Sequence, residues 1–149
     1  MTRMTAFVVT LMLMTAFAFA ADELLIDDFE YPSVEAAREA WRPDESSEPV
    51  GVFERDGGTA LRLSADFTRE DSQRAVYDRD LDLDLSRWGR FSFDMYIDQP
   101  GLFRSFTLYF RSGDGWFGAG TGIGRQGWNT VELSRADFRA EGTPAGWQQ

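Results

Sequence analysis

Phe91-Ser-Phe-Asp-Met-Tyr-Ile97 alternates apolar and polar side chains, and the same alternation returns in Phe106-Thr-Leu-Tyr-Phe110 and Val131-Glu-Leu133. A period of two places successive side chains on opposite faces of an extended strand, so each stretch has one core-facing side. Turn residues separate the stretches, at positions 99–101, 112–115 and 126–127. The pattern therefore predicts an antiparallel all-β domain.

The first twenty residues have the pattern of a secretory signal peptide. Arg3 supplies a positive start, residues 6–20 are mostly apolar, and Ala18-Phe-Ala20 gives a small-x-small cleavage pattern. The apolar stretch is shorter than the roughly 20 residues that a membrane span needs, which favours a cleaved signal over an anchor. We therefore expect a signal over residues 1–20 and a secreted or periplasmic β-domain over residues 21–149.

Charge and composition narrow the classes of partner and chemistry. The chain has 25 acidic and 15 basic residues and a formal net charge of −10. Such a surface repels phosphate backbones and anionic membranes, and a neutral partner or a divalent cation suits it better. Histidine and cysteine are both absent, which excludes disulfides, the usual zinc ligands and nucleophile systems of the Ser-His-Asp or Cys-His kind.

The beginning of the domain predicts one strand and one short helix. Leu24-Leu-Ile26 is a short apolar run that we interpret as the first strand. Residues 32–41 have a helical pattern, with Ser33 as its cap and Pro43 as its stop. The helix would bury one side, formed by Val34, Ala37 and Trp41.

Further strands follow in pairs. Residues 51–54 and 60–65 predict a hairpin, because Asp56-Gly-Gly58 supplies positive φ at low cost. A second hairpin is predicted from the Phe106 strand through Ser112-Gly-Asp-Gly115 into residues 116–121. Residues 134–138 predict one helical turn. Seven or eight amphipathic strands close most naturally as a two-sheet antiparallel β-sandwich.

A strand is also predicted over residues 74–85, and it carries a ladder of acids on one face: Asp78, Asp80, Asp82 and Asp84. The favoured interpretation is a charged edge that blocks the addition of another strand. The alternative is a calcium site, since calcium binds carboxylate and carbonyl oxygens.

Several motifs resemble the galactose-binding-like jelly roll, in the form of the carbohydrate-binding modules of secreted bacterial proteins. They are Ile26-Asp-Asp-Phe-Glu30, Asp82-Leu-Asp-Leu-Ser86, Phe91-Ser-Phe-Asp94, Tyr109-Phe-Arg-Ser-Gly-Asp-Gly-Trp116 and Gly127-Trp-Asn-Thr-Val131. The resemblance covers most of residues 24–148 and implies a jelly-roll sandwich. Such domains usually continue past a Gly-Trp like Gly146-Trp147 into a last strand, so we expect that strand to be missing here. The chain would then be a truncated gene product or the amino-terminal piece of a longer protein, in which a catalytic domain could be the partner.

The outward faces of the central strands supply the candidate binding residues. If the phenylalanines of each strand face the core, Asp94, Tyr96, Tyr109, Arg111 and Glu132 face away from it. Aromatic rings stack on the C–H faces of sugars, and Asp, Glu and Arg bond to sugar hydroxyls. Together with the resemblance, this predicts a non-catalytic domain that binds an oligo- or polysaccharide on one sheet face. The alternative is that these residues form only the solvent-exposed face of a sheet, in a structural or protein-interaction domain.

Tryptophans and acids add further candidates. Trp116, directly after the second hairpin, is a candidate sugar platform, whereas Trp41, Trp88, Trp128 and Trp147 are expected to pack in the core or at an edge. A glycoside hydrolase is a less favoured alternative, in which Asp94 and Glu132 would be the two carboxylates. Jelly-roll sugar modules often hold a structural calcium near the first strand, so the resemblance implies calcium as the cofactor, with Asp27, Asp28 and Glu30 as its ligands.

Overall fold

The computed structural model describes residues 23–44, 47–55, 58–64 and 74–148. Of these residues, 49% lie in strands and 12% are helical, and the strands pair in antiparallel fashion, so the protein is all-β. The predicted signal peptide lies outside the described residues. None of the described residues form a helix long and apolar enough to span a membrane. The chain divides into two compact units, with the boundary after Asp78.

The N-terminal unit contains the predicted helix. Helix α1 spans Val34–Ala40, and Ser33 caps it by accepting a hydrogen bond from the Ala36 amide at 3.2 Å. Ala37 is fully buried, and its carbonyl accepts a hydrogen bond from the amide of Trp41 at 2.8 Å, where the helix ends. The helix and its Ser33 cap are therefore as predicted, but the helix is shorter than residues 32–41, and of its predicted buried side only Ala37 is fully buried, while Val34 and Trp41 are half-buried.

The described residues of the N-terminal unit also form four short strands: β1 (Arg42–Asp44), β2 (Gly51–Arg55), β3 (Gly58–Arg62) and β4 (Val76–Asp78). β1 pairs with β4 and β2 pairs with β3, both antiparallel. The β2–β3 pair confirms the first predicted hairpin, whose turn residues 56 and 57 lie outside the described residues. Val50, just before β2, is fully buried beside this hairpin.

Of two further strand predictions, the one at residues 24–26 is wrong, and the one over residues 74–85 is right only at Val76–Asp78. Residues 24–26 form no strand, and Leu25 is 74% exposed, so this apolar run is not buried by a neighbouring strand. Strand β4 ends at Asp78, and residues 79–85 continue in irregular backbone, with Leu81 exposed and Leu85 buried. The four acids from Asp78 to Asp84 are exposed, but they do not line one face of a strand.

Four longer strands form the C-terminal unit: β5 (Arg90–Ile97), β6 (Ser105–Gly122), β7 (Gly127–Ser134) and β8 (Arg139–Pro144). β5 pairs with β7 from Arg90 opposite Ser134 to Ile97 opposite Gly127. β8 pairs with the part of β6 from Gly113 to Gly118. A 3-10 turn over Arg135–Asp137 confirms the predicted helical turn, and Ser134 and Asp137 form its capping box.

Strand β6 doubles back on itself. A Cβ built on Gly118 would lie 2.5 Å from Cε1 of Tyr109, and one built on Gly120 would lie 3.7 Å from Oγ1 of Thr107. In a straight strand Thr107 and Gly120 would be roughly 40 Å apart, because each residue rises about 3.3 Å. Gly113 has a φ of +59°, as the first central residue of a tight hairpin turn requires. The contacts thus agree with the hairpin predicted at residues 112–115.

Aromatic rings form the core of the C-terminal unit. Phe91 of β5 lies 5.1 Å from Phe110 of β6, between ring centroids, and Phe93 lies 5.4 Å from Phe106. The inner faces of β5 and β6 therefore contact each other through phenylalanines. Because side chains alternate along a strand, the residues between these phenylalanines point away from the core.

Candidate functional site

The six predicted binding residues belong to two different sheets. Three of them, Tyr109, Arg111 and Trp116, lie on the β6 hairpin, which pairs with β8. The other three lie in the β5–β7 pair: Asp94, Tyr96 and Glu132. The structure therefore brings the candidates together in two groups of three, and each group is on the side of its sheet that faces away from the phenylalanine contacts.

The first group lies on a surface that we name the hairpin face, formed by Tyr109, Arg111, Trp116 and Glu141. The ring of Tyr109 lies over Gly118, where any side chain would collide with it. Its hydroxyl donates a hydrogen bond to Oε1 of Glu141 at 3.3 Å, and the residue remains 48% exposed. The ring therefore packs across the sheet on a glycine, and about half of the residue stays exposed to solvent.

Arg111 and Trp116 form the second part of the hairpin face. The guanidinium carbon of Arg111 lies 5.7 Å from the centroid of the Trp116 ring, within the range of a cation–π contact. Trp116 is 42% exposed and lies opposite Glu141 in the register of β6 and β8. The contact holds a planar hydrogen-bond donor beside the ring of Tyr109, and Glu141 supplies an acceptor on the same face.

Sequence reasoning missed Glu141. Strand β8 has no apolar alternation, and its residues from Arg139 to Thr143 are all exposed. A strand without a buried side carries no period-two signal, because both of its faces read as polar. The pairing of Glu141 with Trp116 and its hydrogen bond from Tyr109 place this carboxylate on the hairpin face.

The second group lies on a surface that we name the β5–β7 face. It consists of three successive same-side pairs: Tyr96 with Trp128, Asp94 with Thr130, and Ser92 with Glu132. The rings of Tyr96 and Trp128 are 5.4 Å apart and nearly perpendicular, at 71°. The Thr130 hydroxyl donates a hydrogen bond of 2.7 Å to Oδ1 of Asp94, which fixes that carboxylate beside the two rings.

Trp128 was expected in the core or at an edge, but it is 41% exposed on the β5–β7 face. Its ring packs against Tyr96 and away from the phenylalanine core. The signal for this placement was present in the sequence. The alternation of side chains along the strand, which places Thr130 and Glu132 on the outward side, also places Trp128 there.

Of the remaining tryptophans, Trp147 packs as expected, stacking on Phe117 with ring centroids 4.3 Å apart. Trp41 is also half-buried, and its ring lies 6.2 Å from that of Phe29. Both therefore serve packing within their own units.

The predicted calcium ligands lie just before α1, and one of them accepts several hydrogen bonds. Oδ1 of Asp27 accepts from the amide of Phe29 at 2.8 Å, and Oδ2 accepts from the Tyr31 hydroxyl at 2.7 Å and from Nε1 of Trp41 at 2.9 Å. These donors hold Asp27 as the polar centre of an aromatic cluster. Burial raises the pKa of the Tyr31 hydroxyl above its ordinary value.

The other two predicted ligands are on the surface. Asp28 and Glu30 are exposed, and Oδ1 of Asp28 accepts a hydrogen bond from the amide of Glu30 at 3.0 Å. Within the part of the chain that the structure describes, no three acidic side chains are grouped so that they could hold a metal ion. Calcium at Asp27, Asp28 and Glu30 stays a prediction, which a thermal melt with calcium and with a chelator would test.

Comparison with protein-family models finds no match to this chain. Comparisons with curated proteins and with solved structures find no significant match either. The candidate faces therefore have to be interpreted from their own chemistry.

Proposed function

We propose that the protein is a non-catalytic carbohydrate-binding domain, exported from the cell, that binds an oligo- or polysaccharide on the hairpin face. The observation that carries the proposal is the ring of Tyr109, which lies over Gly118 and is half exposed. A ring held in this way has already lost most of its conformational freedom, so a ligand that stacks on it does not have to order it.

The chemistry around the ring fits a sugar. The C–H side of a pyranose would stack on Tyr109, as apolar groups stack on aromatic faces. Its hydroxyls would donate to the carboxylate of Glu141 and accept from the guanidinium of Arg111, both charged groups that make stronger hydrogen bonds than neutral ones. Arg111 is oriented beforehand by its contact with Trp116.

We further propose that the C-terminal unit is a two-sheet sandwich of the galactose-binding-like jelly-roll type. The contacts of Phe91 with Phe110 and of Phe93 with Phe106 support this, since they join the inner sides of strands from two separate sheets. In such an arrangement the hairpin face and the β5–β7 face are on opposite outer surfaces.

Binding without catalysis is favoured by the setting of the two candidate acids. Asp94 and Glu132 are both exposed on the β5–β7 face, in neighbouring same-side pairs. Glycosidases need an acid and a base or nucleophile on the two sides of the scissile bond, with the acid's pKa raised by its surroundings. Two carboxylates side by side on an open sheet supply a binding surface more readily than such a pair.

Affinity measurements on single variants test the proposal. Isothermal titration against a panel of soluble neutral polysaccharides would first identify a ligand. Tyr109→Ala is then expected to weaken binding about tenfold or more, because roughly 1.4 kcal/mol of lost stacking is a factor of ten. Phe103→Ala is the matched control, since Phe103 is an exposed ring of the same unit outside both faces.

Two results would contradict the proposal. Equal effects of Tyr109→Ala and Phe103→Ala would place the ligand somewhere other than the hairpin face. Absence of binding to every glycan, by a protein that melts cooperatively, would favour a structural or protein-interaction domain.

A further inference from the structure

The β5–β7 face differs in charge from the hairpin face. Its central pair presents the carboxylate of Asp94, held by Thr130, and the next pair presents Glu132. The alternation of β5 places Arg90 on the same side, but at the far end of the strand from Tyr96. Near the two rings the face is therefore acidic.

The hairpin face has cations where the β5–β7 face has acids. Arg111 lies against Trp116, and Arg139 is paired with Gly118, the residue beneath Tyr109. Glu141 is the carboxylate that accepts the Tyr109 hydrogen bond. Two aromatic surfaces in one unit thus differ in charge, since the hairpin face combines two cations with one carboxylate and the described charged residues near the rings of the β5–β7 face are acids.

We propose that the β5–β7 face is a second binding site, separate from the hairpin face, for a polysaccharide that carries free, protonated amino groups. An ammonium group is attracted to the face of an aromatic ring, and Trp is the strongest of these ring partners. Trp128 is 41% exposed, and the ring of Tyr96 packs against it nearly perpendicularly, so the two rings form a corner at the surface. Asp94, in the adjacent pair, supplies a charge-assisted acceptor for the same ammonium.

The charge of the whole chain assists such a ligand. A net charge of −10 attracts a cationic chain and raises its local concentration, an effect that salt screens. The attraction alone would be unspecific. The ring corner and the fixed carboxylate of Asp94 are what give the β5–β7 face its selectivity for an ammonium.

Two probes with the same backbone test the proposal: glucosamine oligomers, and their fully N-acetylated counterparts, which lack the charge. Titration at mildly acidic pH, where the amines are protonated, should show the glucosamine oligomer binding roughly tenfold or more tightly than the acetylated one. Trp128→Ala should remove most of this difference. Phe103→Ala, an exposed ring outside both faces, should leave the glucosamine affinity unchanged.

The contribution of Asp94 is tested against a variant of identical charge. Asp94→Asn removes the charge and retains an oxygen that can accept the Thr130 hydrogen bond, and it should weaken glucosamine binding roughly threefold or more. Asp82→Asn is the control, because Asp82 is an exposed acid of the same unit outside the β5–β7 face. Circular dichroism of each variant would verify that it folds.

Three outcomes would overturn the second site. Equal affinity for both oligomers would show that the amino group is not recognised. Equal losses in Asp94→Asn and Asp82→Asn would show that only the overall charge acts. Loss of glucosamine binding in Tyr109→Ala would assign the ligand to the hairpin face. The function proposed for the hairpin face rests on neutral glycans and on Tyr109→Ala, so each proposal can fail while the other stands.

Discussion

The two compact units of the chain are stabilised by different kinds of contact. In the N-terminal unit the buried apolar residues are few, with Ala37 and Val50 the fully buried ones among those described. Polar side chains tie its segments together instead. Nε of Arg38 donates to the Val50 carbonyl at 2.9 Å, and Oγ of Ser47 accepts from the Val76 amide at 2.7 Å.

The C-terminal unit is stabilised mainly by ring packing. Trp147 is at the centre of its aromatic cluster, with ring centroids at 4.3 to 5.9 Å from those of four phenylalanines: Phe91, Phe110, Phe117 and Phe138. Both candidate binding faces belong to this unit. The comparison indicates that the unit bearing the faces is the one whose stability rests mainly on apolar packing.

Truncation of Trp147 gives the largest effect that we predict. Trp147→Ala removes the shared ring of the cluster and should lower the free energy of unfolding by ~3 kcal/mol, as is usual for a large aromatic residue replaced by alanine in a packed core. Urea unfolding followed by circular dichroism measures the loss. Trp116→Ala is the control, because Trp116 is exposed and its loss should cost little. Similar midpoints for the two variants would refute the central role of Trp147.

Substitution of Arg135 should have the next largest effect on stability, because this side chain makes several hydrogen bonds within the C-terminal unit. Its Nη2 donates to the carbonyls of Leu85 at 2.6 Å and Ser86 at 2.9 Å, and also to that of Trp88. Its guanidinium carbon lies 5.2 Å from the centroid of the Trp147 ring. One side chain thus fastens the chain segment before β5 to the aromatic cluster.

Replacing Arg135 by methionine should cost about 2 kcal/mol of unfolding free energy, because the carbonyls lose a charged donor while much of the packing is kept. Arg135→Lys retains one charged nitrogen and should recover part of that loss. The urea midpoints of the two variants measure this difference in stability. If methionine is as stable as lysine here, or more so, the hydrogen bonds are not what fastens this segment; the unpartnered Nε of Arg135 would then be the costlier feature.

Local patterns in the sequence predict individual elements of the fold well. Ser33 and the helical spacing after it predict α1, and the alternation from Phe91 to Ile97 predicts both the extent of β5 and its buried side. Such patterns fail where burial does not follow them. Leu24-Leu-Ile26 is apolar but remains largely exposed, and β8 is a strand with no apolar side.

The candidate site shows why local patterns were insufficient there. The two-residue alternation shows which residues of one strand share a side. It correctly groups Tyr109 with Arg111, and Asp94 with Tyr96. It carries no information on which strands are neighbours, because pairing depends on contacts between distant segments. The six candidates were therefore predicted on one face, whereas their strands belong to two sheets.

The smallest predicted effect is on the pH dependence of stability, and it separates the two units. Burial raises the pKa of Tyr31 and of Tyr77, both in the N-terminal unit, above the ordinary value of 10.0. Hydrogen bonds from Ser86 and Ser134 lower the pKa of Asp84 and Asp137, in the C-terminal unit, below 3.8. The two units should therefore lose stability at opposite ends of the pH scale.

The signs follow from which protonation state the fold prefers. The tyrosines contribute their full share of the folding stability below about pH 10, and this share is lost as the pH rises through the pKa of the folded state. The aspartates contribute to the folding stability above about pH 4, and this contribution is lost as the pH falls through their folded-state pKa. Melting curves from acid to alkaline pH should therefore show a smaller alkaline decline in Tyr77→Phe and a smaller acid decline in Asp137→Asn. Because both aspartates are exposed, the acid effect should be the weaker one. An alkaline decline unchanged in Tyr77→Phe and in Tyr31→Phe would mean that the N-terminal unit does not depend on its buried hydroxyls.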